Sequence, residues 1–288
     1  MPLYLLVTNP FSSRGLSEKR IAKVIAEFAA AGAHVDILRT LGPGDAERAT
    51  AAVRREYAAI VVAGGDGTIC EVANGLGGRL IPIGILPCGT GNVLAKELGI
   101  SKSIRKAIEI ILRGKTLRLD VGITGARRFV LMASAGYDAQ VTALAHKTRR
   151  GKLGYTGFIL PMWRTLRRGA FPVIRVEING RKHECRHVII ANVSSYGGPF
   201  RPAPGAIYND GEFDVVMYTG ARRRDMVRYG IKACCMSDAP EDDIMRLRTD
   251  RIALTSDAPV PVQMDGEPSG FLPKTFHIKR DDISFIVP

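Results

Sequence analysis

A chain of 288 residues, 46% hydrophobic and 24% charged with a mean hydropathy of +0.04, is long enough for two domains around two cores and too ordinary in composition for a disordered or fibrous protein. No apolar run reaches the ~18 residues that cross a bilayer, and the first ten residues lack the basic n-region and long apolar stretch of a secretory signal, so a cytoplasmic location is expected. The formal net charge of +13 and pI of about 9.8 favour a polyanionic partner, whether nucleic acid, an anionic bilayer or a phosphorylated ligand, while five cysteines without CxxC spacing read as reduced thiols.

In chain order, short β-branched runs at 3–8, 34–38, 59–63 and 81–86 alternate with helical patterns at 17–31, 43–57 and 68–76. That rhythm predicts repeated βα units, hence a parallel sheet with helices on both faces. Ligands of such sheets bind at the carboxyl ends of the strands, and the segments that follow the strands here, 9–15, 40–44, 64–68 and 87–92, collect Gly, Thr and Asn. A helix is expected at about 101–113. Beyond it the pattern changes to closely spaced strands at 117–123, 128–132, 173–178, 187–193, 213–218, 251–254 and 260–264, interrupted by helical stretches near 139–168 and 222–236. The predicted fold is therefore α/β in two domains: an N-terminal three-layer α/β nucleotide-binding domain over 1–122 with a parallel sheet, and a C-terminal, mostly antiparallel β-rich domain over 123–280, with the active site in the cleft between. A final strand within 281–288 returns to the first domain.

The run Ile60-Val61-Val62-Ala63-Gly64-Gly65-Asp66-Gly67-Thr68 is a buried strand entering a glycine-rich turn that opens a helix. Glycines let backbone N–H groups approach phosphate oxygens, and the helix N-terminus adds favourable partial charge. Asp66 would repel a phosphate, which suits it to hold Mg²⁺, water or an acceptor beside the transferring group; a plain turn with Asp66 as a helix cap is the alternative. Neither GxxxxGK[ST] nor GxGxxG fits. A second loop, Leu86-Pro87-Cys88-Gly89-Thr90-Gly91-Asn92, again follows a strand and opens a helix, and two such loops on one edge suit a di- or triphosphate.

Gly64-Gly65-Asp66-Gly67-Thr68 with Glu71-Val72-Ala73-Asn74-Gly75-Leu76, then Pro87-Cys88-Gly89-Thr90-Gly91-Asn92, and last Met264-Asp265-Gly266-Glu267, resemble the diacylglycerol kinase catalytic family and its bacterial lipid-kinase members. The resemblance implies an ATP- and Mg²⁺-dependent lipid kinase. It implies ATP contacts from Asn9, Pro10, Ser12, Ser13 and Arg14, from Thr40, from Gly64, Gly65, Asp66, Gly67 and Thr68, and from Thr90. It gives Glu267 the role of general base with Asp66 beside it in catalysis, and it implies a structural Mg²⁺ held by the carbonyls of Ile207 and Glu212 and the carboxylate of Asp210. By residue type alone, Asn209-Asp210-Gly211 is a turn. Where many bacterial relatives carry an acid after the second-loop Asn, this chain has Val93, so the carboxylate network those relatives build with the matches of Asp66 and Asp120 is incomplete here. The form Pro-Cys-Gly-Thr-Gly-Asn-Val-Leu-Ala is also similar to sphingosine kinases, which points to a ceramide or sphingoid acceptor beside diacylglycerol.

The basic residues Lys147, Arg149, Arg150 and Lys152 precede a segment that mixes Tyr155, Phe158, Ile159, Leu160, Met162 and Trp163 with Arg164, Arg167 and Arg168. This suits peripheral docking on an anionic membrane, the inner face of the cell membrane for a cytoplasmic protein; a helix packed on the second sheet is the competing reading. His34, His183, His187 and His277 have no metal-ligand spacing and read as structural or exposed; Asp242 and Asp243 read as a solvated connection. Two other functions share some of these features: an NAD-kinase-like kinase of a soluble nucleotide and a catalytically silent nucleotide or lipid sensor. No recognition motif supports nucleic acid as a partner, and a homodimer is compatible with the sequence.

Overall fold

The computed structural model describes residues 1–10, 15–148, 155–198, 200–235 and 241–288, the side chains of residues 155 and 156 excepted. The chain divides into two units, Met1–Leu119 with Asp281–Pro288, and Asp120–Arg280.

The first unit contains β1 (Leu3–Thr8), α1 (Glu18–Ala30), β2 (His34–Arg39), α2 (Asp45–Ala51), β3 (Ala59–Gly64), α3 (Asp66–Leu76), β4 (Ile83–Pro87), α4 (Val93–Glu97) and α5 (Ile104–Arg113). The strands pair in parallel in the order β2-β1-β3-β4. All six residues of β3 are buried; since successive side chains of a strand point to opposite faces, helices must cover both sides of the sheet. On α1, Ile21, Val24 and Phe28 repeat at helical spacing and are buried. A Cβ at Gly84 would lie 2.8 Å from Ile111, so glycine there lets α5 close on β4. The helix expected over 43–57 ends at Ala51. The Arg79 guanidinium bonds the carbonyls of Thr50, Val53 (2.8 Å), Gly75 (3.2 Å) and Leu76 (3.1 Å), satisfying the ends of α2 and α3, and Gly77 at φ 62° ends α3.

The rest of the chain adds β5 (Thr116–Thr124), β6 (Arg127–Phe129), β7 (Met132–Ala135), α6 (Tyr137–Lys147), α7 (Ile159–Arg168), β8 (Ile174–Ile178), β9 (Arg181–Cys185), β10 (His187–Ala191), β11 (Phe213–Tyr218), α8 (Arg223–Cys235), β12 (Ile244–Thr249), β13 (Arg251–Thr255), β14 (Pro261–Met264), β15 (Glu267–Phe271) and β16 (Lys274–Ile286). One antiparallel sheet of the second unit runs β12-β11-β10-β7-β14-β15; in another, β9, β8, β13 and the first half of β16 pair in antiparallel succession. Alternation along β11 shows the layering: Val215 and Met217 join Val188, Ile190, Val176, Ile252 and Phe276 in the core between the sheets. Val216 and Tyr218 point the other way, onto Met226 and Tyr229 of α8. The end of β16 belongs to the first unit, where Phe285 pairs with Ile83 of β4 in parallel. Among the described residues no helix is long and apolar enough to cross a membrane.

The expected final strand starts earlier, at Lys274, and three further strands, β9, β12 and β15, were not expected. Each lies at the edge of its sheet and is mostly exposed or half-exposed, so it carries no apolar alternation to read. The strand expected at 128–132 is two, and the helical stretch at 139–168 contains two α-helices, α6 ending at Lys147 and α7 starting at Ile159.

Candidate active site

In the first unit both glycine loops leave adjacent strands, β3 and β4, and touch. A Cβ on Gly65 would sit 3.1 Å from the Gly89 backbone, and one on Gly89 would overlap Gly65, so only glycine allows the approach. The contact is locked by side chains. Asp66 Oδ1 accepts the N–H of Leu94 (3.1 Å), in the first turn of α4. Asn92, at φ 47°, accepts from Gly89 N (2.8 Å) and donates to Gly89 O (2.9 Å). Asp66 is thus a cap, for the helix of the opposite loop rather than for α3, whose N-cap is Gly65. Asn9, after β1, donates to Thr68 Oγ1 at 3.2 Å and joins this edge. A side chain at Gly67 would meet nothing within 4 Å and the residue is exposed, so the first turn of α3 is open on that side.

Thr40 is buried, with its hydroxyl bonded to Thr8 O at 3.3 Å. It borders a depression of about 280 Å³ lined also by Leu38, Arg39, Leu41, Asp45 and Arg48. Thr90 and Pro10 are exposed. Ser12, Ser13 and Arg14 lie outside the described residues. Glu71, named in the sequence motif without a role, accepts the N–H of Gly44 (2.9 Å) and Ala46 (3.2 Å) and so caps α2. Burial raises the Cys88 thiol to about 11, which keeps it protonated and chemically quiet beside the loop.

In the second unit Glu267 opens β15, one residue past a tight turn through Asp265 (φ 51°) and Gly266 (φ 84°). The Asp265 carboxylate accepts three consecutive backbone N–H groups, those of Val130 (2.8 Å), Leu131 (2.8 Å) and Met132 (3.0 Å). Val130 and Leu131 lie between β6 and β7, which pair in different sheets, and there their amides serve Asp265. Gln263 Oε1 accepts Gly266 N at 2.8 Å and closes the turn from the other side. Glu267 itself remains 61% exposed.

Asp120 lies against the turn that carries Asp210 and leads to Glu212, with Ile207, exposed, just before it. Asp120 is buried; its carboxylate accepts Gly211 N at 2.7 Å and its N–H bonds Tyr208 O at 2.9 Å, which fixes the 208–211 turn. The Arg248 guanidinium pairs with Asp210 and, at 3.3 Å, with Glu212. Among the described residues no three His, Cys, Asp or Glu side chains converge as metal ligands. A cation at this turn would therefore lean on the carbonyls of Ile207 and Glu212 together with Asp210. Those oxygen donors fit a hard ion by type, and Arg248 is the internal cation that would compete with it. Asp243, expected to be solvated, instead accepts from Arg228 and from Tyr229 (2.7 Å), and ties α8 to the start of β12.

A parallel sheet with two touching glycine loops, followed by an antiparallel unit that presents a carboxylate on a clamped turn, agrees with the two-domain phosphotransferase expected from the sequence. Residues 3–124 match the Diacylglycerol kinase catalytic domain family, and residues 131–287 match the YegS C-terminal NAD kinase beta sandwich-like domain family. A Mycobacterium tuberculosis diacylglycerol kinase is 32% identical over 77% of this chain and 75% of its own length. One from Bacillus subtilis is 28% identical over 98% and 95%. A crystal structure from Bacillus anthracis superposes with TM-score 0.81 at 24% identity, covering 100% of this chain and 97% of that one. The chain belongs to the diacylglycerol kinase family and is a lipid kinase. Of the functions left open by the sequence, this family membership agrees with the lipid kinase.

Proposed function

We propose that the protein transfers the γ-phosphoryl group of ATP to the hydroxyl of diacylglycerol or a related lipid, ceramide or a sphingoid base included, with Mg²⁺ as the required cation. The observation that carries the reading is the locked junction of the two glycine loops, which joins Gly64, Gly65, Gly67, Thr68, Asn9 and the 87–92 turn at one edge of the parallel sheet. Backbone donors at that edge suit a polyphosphate. Thr40, beside its depression, suits the nucleoside end, and Thr90 the phosphates. Asp66 brings negative charge next to the donors, fitted to a cation or to the acceptor hydroxyl. Mg²⁺, when bound, neutralises phosphate charge as it transfers. Glu267, mostly in water on a turn fixed by Asp265, accepts the hydroxyl proton as the new O–P bond forms.

Membrane docking through α7 belongs to the same proposal. Ile159, Leu160 and Trp163 are more than half exposed and Met162 is 42% exposed, while α7 buries only Pro161 and Thr165. Arg167 stacks its guanidinium 4.7 Å from the Trp163 ring. An apolar face edged by Arg164, Arg167 and Arg168 suits an anionic bilayer; Arg149, Arg150 and Lys152 lie outside the described residues.

The test is transfer of label from [γ-³²P]ATP to a panel of diacylglycerol, monoacylglycerol, ceramide, sphingosine and NAD, with and without EDTA. A labelled lipid formed only with Mg²⁺ is the expected result. Label on NAD alone, or turnover undiminished by EDTA, overturns the proposal.

A further inference from the structure

We infer that His146 is a positioning residue for the reaction, holding the Glu267 carboxylate through its imidazole Nδ1; the inference rests on Glu267 being the general base. His146 Nδ1 lies 3.4 Å from Glu267 Oε2. Nothing in the sequence pairs these residues: His146 sits at the end of a helix, Glu267 at the start of an edge strand more than a hundred residues later.

The contact is built rather than incidental, because α6 is fixed to the hairpin that carries Glu267. At the start of α6 the Asp138 carboxylate accepts the Ser134 hydroxyl (2.6 and 2.7 Å) and lies 3.5 Å from His187 Nδ1. Ser134 Oγ in turn accepts from Gln263 Nε2 at 3.0 Å, and Gln263 Oε1 takes the N–H of Gly266, the residue before Glu267. Ser134 and Gln263 are fully buried, so this chain of bonds sets the height of the helix on the hairpin from inside. Ala139, Thr142 and Ala145 continue the buried face along α6. Two turns on from Asp138, the same side of the helix presents His146.

The two side chains differ in exposure. The imidazole is 19% exposed and the carboxylate 61%. A glutamate side chain has several rotamers, and a base is effective only in the one that meets the acceptor proton. An imidazole held by the helix selects among them. Of the elements packed on α6, β7 and β14 carry no charged residue, β15 carries Glu267 itself, and α7 carries Arg164, Arg167 and Arg168; on α6 the charged residues are Asp138 and Lys147.

In the step itself, the acceptor oxygen forms its bond to the γ-phosphorus while the bond from that phosphorus to the bridging oxygen of ADP breaks, and the hydroxyl proton passes to Glu267. His146 gains and loses no proton; its Nδ1, 3.4 Å from Oε2, keeps the carboxylate in place.

The test compares His146→Ala, His146→Asn and His146→Gln with Glu267→Gln. The amide nitrogen of Asn superposes on Nδ1 of histidine and that of Gln on Nε2. His146→Ala is expected to lower kcat about tenfold with the KM for ATP unchanged, since the contact acts on the base and not on the nucleotide. Asn should restore most of kcat and Gln little. Adding His146→Ala to Glu267→Gln should cost nothing more, because the contact has already lost its purpose. Wild-type kcat in all three His146 variants, equal losses in all three with a lowered melting temperature, or additive losses in the double mutant would each overturn the inference. A Glu267→Gln protein that keeps its turnover would instead sink the base assignment, and the inference with it.

Discussion

Asp265→Ala is expected to release the turn that carries Glu267. The wild-type carboxylate accepts three backbone N–H groups, of Val130, Leu131 and Met132, all buried. A hydrogen bond to a charged group contributes roughly 1.5–3 kcal/mol. Losing three at once, with some relaxation, should cost about 4–6 kcal/mol locally, and an alanine at φ 51° adds about 1–2 kcal/mol of left-handed strain. Asn tolerates that backbone and its Oδ1 can still serve Leu131 and Met132, while its NH₂ opposes the Val130 N–H, so Asp265→Asn should cost only about 2–3 kcal/mol. Two units need not unfold together, so one melting midpoint is a poor gauge; amide hydrogen exchange at Val130, Leu131 and Met132 reads the local opening. At about 1.4 kcal/mol per decade, Ala should speed that exchange by at least about 10³-fold and Asn by roughly 30-fold or more. Loss of placement of Glu267 should lower kcat about 10²-fold in the Ala variant. Exchange within about threefold of wild type, or undiminished turnover, would refute the clamp.

Asp66→Asn should keep the bond to Leu94 N and the thermal stability but lose turnover, whereas Asp66→Ala should also lower stability by about 1 kcal/mol, the usual value of a lost cap; equal activity in wild type and Asn would remove the charge from the mechanism. If the turn at Asp210 holds Mg²⁺, EDTA should lower the wild-type melting temperature and leave Asp210→Ala unmoved, and Arg248→Ala, freed of its competing cation, should show a larger EDTA shift than wild type; identical shifts in all three proteins would assign the metal effect elsewhere. Changing Arg164, Arg167 and Arg168 together to Gln should weaken binding to anionic vesicles, at about 1 kcal/mol per residue, and raise the KM for vesicle lipid but not for ATP; equal loss on a short-chain soluble acceptor would make α7 a structural helix. For Asp243, burial opposes ionisation, but the bonds from Tyr229 and Arg228 outweigh it and lower its pKa below 3.8; its stabilisation of α8 is therefore complete above that value and lost as pH falls through the lowered one, and Asp243→Asn should flatten this acid limb in a helix-monitored titration.

What the sequence determined by itself is what neighbouring residues decide together. Glycines within a few positions of a β-branched run allow a tight turn from strand to helix, because the backbone freedom is local. The parallel first sheet and the antiparallel second followed from periodicity, and β3 and β11 came out within a residue of their expected ends because both are buried on two sides and strongly patterned. The tertiary structure decided everything that depends on distant partners. Asp66 caps a helix 28 residues away, Asp265 takes the amides of a segment about 130 residues earlier, Arg79 bonds the carbonyls at the end of α2, and His146 finds Glu267. None of these pairings leaves a local signature, since a side chain at the end of a turn or helix is free in the isolated segment and acquires its partner only when packing brings two elements together. For the same reason the edge strands β9, β12 and β15 could not be read: their hydrogen bonds to a neighbouring strand, rather than a buried face of their own, make them strands.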